Sequence, residues 1–117
     1  MLIIRTDQIE SIMLDKVQAY DETLVEKLRK LQPENTQPLP DETLIAYVSE
    51  HQAKAQRYGL KTTRNILRYL EYTLIFSPDF DNNPKTHWAR AILNSPKLSG
   101  REKIERLDNY YTFTLKG

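Results

Sequence analysis

The stretch RYGLKTTRNILRYLEYTLIFSP, residues 57–78, contains the end of one predicted helix and the whole of the next. Gly59 accepts the left-handed conformation that a helix C-terminus often requires, so a helix is expected to end there. Thr62 or Thr63 can cap the start of a new helix, because a threonine hydroxyl satisfies amide groups that lack helical partners. Apolar residues at helical spacing form its inner face: Ile66, Leu67, Leu70 and Leu74. Pro78 then interrupts the helix.

Helical spacing on both sides of this stretch predicts four further helices. The clearest one carries a single apolar stripe: Ile9, Met13, Val17, Tyr20, Leu24, Leu28 and Leu31. Three prolines then predict a loop over residues 32–40, and Asp41 is expected to cap the second helix. A short helix carries Trp88, and a capping box formed by Ser99 and Glu102 begins the last helix.

The two ends of the chain are ambiguous. Residues 111–115 alternate apolar and polar side chains as a strand does, but Tyr111 and Leu115 are also spaced as in a helix. Continued helix is favoured, because an isolated strand has nothing to pair with; alternatively, segments 2–4 and 111–115 add to the sheet edge of a partner. We predict an all-α fold, in which residues 1–117 form a single-domain bundle of about five helices with a long N-terminal helix.

The composition is that of a soluble globular protein. Hydrophobic residues make up 39% and charged residues 28% of the 117 residues, and the formal net charge is +1. So small a net charge gives no strong attraction to nucleic acid or to an anionic membrane. There is no cysteine, and no apolar stretch is long enough for a signal peptide or a membrane span. We expect a cytoplasmic protein with no membrane or nucleic-acid partner.

The stretch SPDFDNNPKTHW, residues 77–88, has some features of a calcium-binding loop. Acidic or amide side chains occupy the first, third and fifth positions: Asp79, Asp81 and Asn83. Such a loop also requires glycine at the sixth position and glutamate at the twelfth. Pro84 and Arg90 stand at those positions, so the acids are interpreted as turn formers and no metal site is predicted.

No other pattern indicates catalysis. His51 and His87 lie in different predicted helices, and no cysteine can join them at a zinc site. The three glycines form no phosphate-binding loop, and no serine occupies a nucleophile elbow. We expect the protein not to be an enzyme, and to have no catalytic residue, no cofactor and no small-molecule substrate.

Basic residues at helical spacing lie at the start of the helix that follows Gly59. These are Lys61, Arg64 and Arg68, with Tyr72 near them. The arrangement has two interpretations, a helix-turn-helix that reads DNA or a surface on which cations and tyrosine rings contact a protein. The near-zero net charge and the lack of further basic clusters disfavour DNA. We predict that Lys61, Arg64, Arg68 and Tyr72 face a protein partner.

Residues 55–93 combine a Tyr-Gly-Leu turn, a capped helix, a Ser-Pro-x-Phe-Asp loop and a Trp-Ala-x-x-Ile-Leu helix. In this combination the chain resembles a small all-helical family encoded beside effector genes of bacterial type VI secretion systems, and the resemblance covers most of the chain. The matching positions are Ala55, Tyr58, Gly59, Leu60, Pro78, Phe80, Asp81, Trp88, Ala89, Ile92, Leu93, Leu98, Lys103 and Leu107. The chain departs from the family pattern at Asn65, where an acid is expected, and at Ser77, where glycine is common.

The resemblance implies an accessory role, since such proteins are encoded near spike, spike-tip and effector-loading adaptor genes. It implies a co-adaptor or chaperone that binds an adaptor, an effector or a spike-tip protein and helps to load the effector onto the spike. The matching residues are mostly turn, cap and core residues, and Phe80 and Trp88 are assigned to the core. Two alternatives stay open: an immunity protein that neutralises a neighbouring toxin, and a helix-turn-helix DNA-binding protein.

Overall fold

A computed structural model describes residues 20–115, and this part of the chain is built from helices, turns and loops. The first helix, α1, is described over residues 20–31. The following helices are α2 (Pro33–Thr36), α3 (Asp41–Arg57), α4 (Thr63–Ile75), α5 (His87–Leu93) and α6 (Gly100–Tyr110). A 3₁₀ turn over Pro84–Thr86 leads into α5, and a π-helical turn over Tyr111–Leu115 follows α6.

The all-α prediction is confirmed for residues 20–115, among which none forms a strand. Segment 111–115 is helical, as favoured over the strand. The predicted count of about five helices is too low, because α2 forms where a loop was expected. The beginning of the predicted long helix and segment 2–4 fall in residues 1–19, outside the described part. No helix within residues 20–115 is long and apolar enough to cross a membrane.

Helix α2 lies in the segment that three prolines predicted to be a loop. Pro33 is tolerated because it occupies the first turn, where a helix does not need the amide hydrogen that proline lacks. Thr36 is fully buried, and its hydroxyl donates a hydrogen bond to the Gln32 carbonyl at 2.8 Å. Arg29 of α1 donates to the carbonyls of Thr36 and Leu39 at 2.9 and 2.8 Å. Tertiary contacts therefore stabilise a helix too short to form through propensity.

Local sequence chemistry sets the boundaries around α4 and α6 as predicted. Gly59 has a φ of +87°, in the left-handed region. The Thr62 hydroxyl accepts a hydrogen bond from the Asn65 amide at 3.2 Å and caps α4. Ser99 and Glu102 form a reciprocal capping box, in which each side chain accepts a hydrogen bond from the other's amide. The residues predicted to end α3 and to begin α4 and α6 therefore do so at the predicted positions.

The predicted cap of α3 is wrong. Asp41 is the first residue of the helix, and Pro40 occupies the cap position without a side-chain hydrogen bond. The Asp41 carboxylate instead accepts a hydrogen bond from Arg29 at 2.7 Å. An acid in the first turn still interacts favourably with the positive end of the helix dipole.

The core lies where α1, α3, α4, α5 and α6 pack together. Its largest fully buried side chains come from α4 and the turn after it: Tyr69, Tyr72 and Phe80. The rings of Tyr69 and Phe80 lie 5.2 Å apart, so Phe80 is a core residue as predicted. Trp88 is half-buried at the core's edge, 5.3 Å from the Phe76 ring and stacked on Tyr110 at 4.4 Å.

Helix α6 approaches the turn after α3 closely, because a glycine stands on each side of the contact. A Cβ atom added to Gly100 would lie 2.1 Å from the Gly59 carbonyl oxygen. One turn further along α6, Lys103 Nζ donates a hydrogen bond to the Tyr58 carbonyl at 2.8 Å. These contacts fix the start of α6 against the C-terminal end of α3.

Candidate protein-binding surface

The structure separates the four residues predicted to face a partner. Lys61 and Arg64 are exposed, Arg68 is half-buried and Tyr72 is fully buried. Arg64 and Arg68 line a groove together with residues of α1, whereas Lys61 lines another groove between the end of α3 and the start of α6. Spacing along one helix therefore grouped residues that tertiary packing places in different surroundings.

The α1–α4 groove is defined by the residues that line it: Lys27, Leu31, Thr63, Arg64, Leu67, Arg68 and Glu71. Its volume is about 380 Å³. Leu31 has 49% of its surface exposed, and in the described part of the chain only Phe113 is a further exposed large hydrophobic side chain. Lys27 and Arg64 are both exposed, so the groove presents apolar surface beside positive charge.

Leu31 was predicted to belong to the buried stripe of the first helix, and its exposure corrects that prediction. Leu24 and Leu28, on the same stripe, are fully buried. Leu31 is the last residue of α1, immediately before the chain turns into α2. The apolar periodicity thus continues past the point at which the core ends, and no signal in the sequence marks that point.

Two carboxylates and an aromatic ring hold Arg68 in place. Its Nε donates to Asp108 Oδ1 at 2.7 Å, and its Nη1 donates to Glu71 Oε2 at 2.6 Å. Its guanidinium carbon lies 4.8 Å from the centre of the Tyr72 ring, a cation–π contact. Burial disfavours the charged form, but the hydrogen bond to Asp108 and the nearby negative charges outweigh it and raise the pKa of Arg68. Arg68 therefore ties α4 to α6 as well as lining the groove.

Tyr72 is 0% exposed, so a partner cannot contact its ring on the surface, and its predicted role does not fit its position. Its hydroxyl donates a hydrogen bond to Asp108 Oδ1, the atom that also accepts from Arg68. Burial and this hydrogen bond raise the pKa of Tyr72 and keep the hydroxyl protonated. Its ring contacts those of Phe76 and Tyr111. Tyr72 is a core residue that positions Asp108 and, through it, Arg68.

The groove that contains Lys61 has a different character. Arg57 and Lys103 are its other cationic lining residues, and its volume is about 500 Å³. Lys103 is buried, its ammonium group is engaged by the Tyr58 carbonyl, and burial lowers the pKa of Lys103. Arg57 and Lys61 are exposed, but neither Leu31 nor Phe113, the exposed large hydrophobic residues of the described chain, lies here. Its apolar lining includes Pro96 and Leu98, but this groove has no exposed large hydrophobic side chain comparable to Leu31.

The two acids of the Asp-Phe-Asp turn have separate structural partners. Asp79 is exposed and accepts hydrogen bonds from Ser77 Oγ at 2.7 Å and Asn83 Nδ2 at 3.3 Å. Asp81 is buried and accepts one from the Tyr58 hydroxyl at 2.7 Å. Among residues 20–115, no three histidine, cysteine or acidic side chains are grouped as a metal would require. Asp79 therefore holds the turn through contacts within it, as predicted for a turn former, whereas Asp81 contacts the end of α3 instead, which corrects the prediction for that residue.

A buried polar cluster links this turn to α3. Asp81 Oδ1 lies 3.6 Å from Lys54 Nζ, and burial together with the hydrogen bond to Asp81 raises the pKa of Tyr58 to about 12. Within the described chain, three buried side-chain atoms have no hydrogen-bond partner: His51 Nδ1, Tyr69 Oη and Asp81 Oδ1. Burial also lowers the pKa of His51, so the folded protein favours the neutral imidazole. The stability of the fold therefore depends on the protonation state of His51 in α3.

Comparisons of the chain with protein-family models, curated proteins and solved structures found no match. The α1–α4 groove combines an exposed leucine, two exposed cations and an arginine held by carboxylates. Apolar anchors next to arginine and other charged groups are typical of surfaces that bind proteins. Binding a complementary segment of another chain is the chemistry that this arrangement supports best.

Proposed function

We propose that this protein is a non-catalytic protein-binding factor and that it binds its partner with the α1–α4 groove. The observation that carries the proposal is the exposure of Leu31 beside the exposed cations Lys27 and Arg64. Burial of Leu31 against a partner would remove apolar surface from water, which stabilises the complex. The cations would orient the partner and speed its association.

Arg68 supports the proposal through its preorganisation. Because Asp108 and Glu71 hold its guanidinium group at 2.7 and 2.6 Å, the side chain loses little conformational freedom when a partner arrives. The planar group still lines the groove, where its face can contact apolar or aromatic side chains. A rigid arginine next to an exposed leucine is a suitable centre for an interface.

The more specific role that we propose is a co-adaptor or chaperone that helps to load a type VI secretion effector onto the spike, acting as a single domain in the cytoplasm. The resemblance of residues 55–93 to a family encoded beside such effectors supports this role. The matching residues include the Gly59 turn and the buried Phe80, which build the fold. The first helix, which contains Lys27 and Leu31, also fits the family pattern, although neither residue is one of the matching positions.

The helix-turn-helix alternative is supported less well than protein binding. Of the three cations predicted at the start of α4, Lys61 and Arg64 are exposed, whereas Arg68 is paired with two carboxylates. Lys61 and Arg64 also line different grooves. Binding to duplex DNA relies on several cations that neutralise phosphates along one surface, and α4 offers few.

Co-purification from the native host tests the proposal. We expect the tagged protein to recover an adaptor, an effector or a spike-tip protein, identified by mass spectrometry. The double variant Lys27→Glu with Arg64→Glu should reduce recovery by about tenfold, since two attractive charges become repulsive. The matched control, Lys85→Glu with Lys97→Glu, makes the same charge change at exposed positions outside the groove and should retain the partner.

The outcomes separate the candidate functions. Recovery of a toxin whose effect is relieved by co-expression of this protein would replace the loading role with that of an immunity protein. Recovery of no protein, together with duplex DNA binding that weakens with salt, would refute protein binding and favour the helix-turn-helix alternative.

A further inference from the structure

The charges of α1 are divided between two grooves. Lys27 lines the α1–α4 groove, whereas Glu22 and Glu26 line a separate groove that also contains Asp41. Neighbouring residues in a helix point in different directions, so Glu26 and Lys27 do not share a face. Glu22 and Glu26 therefore lie away from the α1–α4 groove, and the buried Asp21 accepts a hydrogen bond from Gln52 of α3, so the described acids of α1 do not cancel the positive charge of the groove.

The α1–α4 groove itself carries net positive charge. Its charged lining consists of three cations, Lys27, Arg64 and Arg68, and one carboxylate, Glu71; with Asp108, which pairs with Arg68, the net charge is +1. The Glu71 side chain is 10% exposed and accepts a hydrogen bond from Arg68 at 2.6 Å. A ligand would therefore meet the two exposed cations Lys27 and Arg64, and acidic groups would complement them.

The lining also indicates the shape of the ligand. Leu31 follows Lys27 by four positions and Leu67 follows Arg64 by three, so each helix presents a leucine and a cation on one side. A surface of this kind, formed between two helices, suits the apolar face of a third helix. An extended peptide would need a sheet edge, which residues 20–115 do not contain, and a polyproline segment would need aromatic rings, which the groove's lining does not include.

We infer that the α1–α4 groove binds an acidic amphipathic helix of a protein partner. The apolar side chains of that helix would contact Leu31 and the 8% of the Leu67 surface that is exposed, and its carboxylates would pair with Lys27 and Arg64. This inference rests on the proposed protein-binding function and adds the class of segment that the partner contributes.

A nuclear magnetic resonance titration of the full chain, labelled with ¹⁵N, tests the inference directly. The probe is a synthetic peptide of about 18 residues with leucines at helical spacing and flanking glutamates, long enough to form a helix on binding. One control peptide has the same composition with the leucines scattered around the helix, and another carries lysine in place of glutamate. We expect amide shifts centred on Leu31, Arg64 and Leu67 with the acidic amphipathic peptide, and weaker binding by both controls.

Variants of the protein sharpen the result. Lys27→Glu with Arg64→Glu should weaken binding of the acidic peptide by about tenfold and improve binding of the lysine peptide. Leu31→Ser should weaken binding by about fivefold, because it removes an apolar contact. Lys85→Glu with Lys97→Glu, the matched control, should change the affinity by less than about twofold. Because all five substituted residues are exposed, circular dichroism should show unchanged helical content in each variant.

Shifts centred outside the groove, equal binding of the scattered peptide or groove variants that bind as well as the wild type would each overturn the inference. If co-purification recovers a partner at the same time, the proposed protein-binding function stands and only the class of segment is wrong. If no partner is recovered, the proposed function fails whatever the peptide does.

Discussion

Substitution of Gly100 by alanine should destabilise the protein strongly, because the added methyl group has no space. An ideal Cβ at this position would lie 2.1 Å from the Gly59 oxygen, 2.7 Å from the Gly59 carbonyl carbon and 3.1 Å from the Leu60 Cα. All three atoms belong to the backbone, so no flexible side chain can move aside. The start of α6 must therefore separate from the turn after α3.

The magnitude follows from the contacts that this separation disturbs. Overpacking of this kind costs about 1–3 kcal/mol. Weakening the hydrogen bond from Lys103 Nζ to the Tyr58 carbonyl, now 2.8 Å, adds about 1 kcal/mol. The lower backbone entropy of unfolded alanine offsets about 0.4–1 kcal/mol. We expect a net loss of about 2–3 kcal/mol, which for a chain of this size lowers the midpoint of thermal unfolding by roughly 8–12 °C.

Gly59→Ala is the matched control, since it adds the same methyl group across the same contact. Its Cβ would have no neighbour closer than 3.9 Å, and its cost arises instead from a φ of +87°. That conformation costs alanine about 1–2 kcal/mol. Thermal unfolding followed by circular dichroism should therefore give Gly100→Ala a lower unfolding midpoint than Gly59→Ala. A Gly100→Ala midpoint within about 2 °C of the wild type would show that the two segments do not pack as described.

Three further predictions concern single side chains. The low pKa of buried His51 means that the unfolded chain binds more protons as the pH falls below about 6.5, so the free energy of unfolding should decrease there. His51→Gln should flatten this dependence between about pH 7 and pH 5, whereas the control His87→Gln, at an exposed position, should retain it. If urea denaturation gives both variants the same dependence of unfolding free energy on pH, His51 is not responsible for it. Tyr58→Phe removes the hydrogen bond to buried Asp81 and should lower the free energy of unfolding by about 2 kcal/mol in urea denaturation; a loss below about 0.5 kcal/mol would contradict it. Ser99→Ala should cost about 1 kcal/mol by removing half of the capping box, and Ser99→Thr should restore most of it if the hydroxyl is responsible.

Much of the local structure could be predicted because its causes are local. Gly59 ends α3, Thr62 caps α4, and Ser99 with Glu102 begins α6, each through contacts made within a few residues. The prediction of α3's cap failed because a contact with Arg29, remote in the sequence, engages the Asp41 carboxylate. Helix α2, which was predicted to be a loop, also depends on Arg29. The Arg29 side chain donates hydrogen bonds to two carbonyls, and no local pattern in the sequence reveals these bonds.

The candidate site was predictable only in part. The spacing of Lys61, Arg64 and Arg68 placed the cations on α4, but it gave no account of where the carboxylate of Asp108 would lie. That carboxylate stands far along the chain, and the fold brings it to Arg68 and to the Tyr72 hydroxyl. Tyr72 was predicted to lie on the surface, but in the fold its ring is buried and its hydroxyl is paired with Asp108.

The sequence by itself determined the all-α class of the described chain, the end of α3 and the starts of α4 and α6, because apolar periodicity and capping act over one or two helical turns. Only the tertiary structure decided that Leu31 remains exposed, that α1 and α4 form a groove, and that Gly100 meets Gly59. These features depend on the path of the chain in space, since they join residues tens of positions apart. The proposed binding surface belongs to that second group, as its two walls come from helices separated in the sequence by all of α2 and α3.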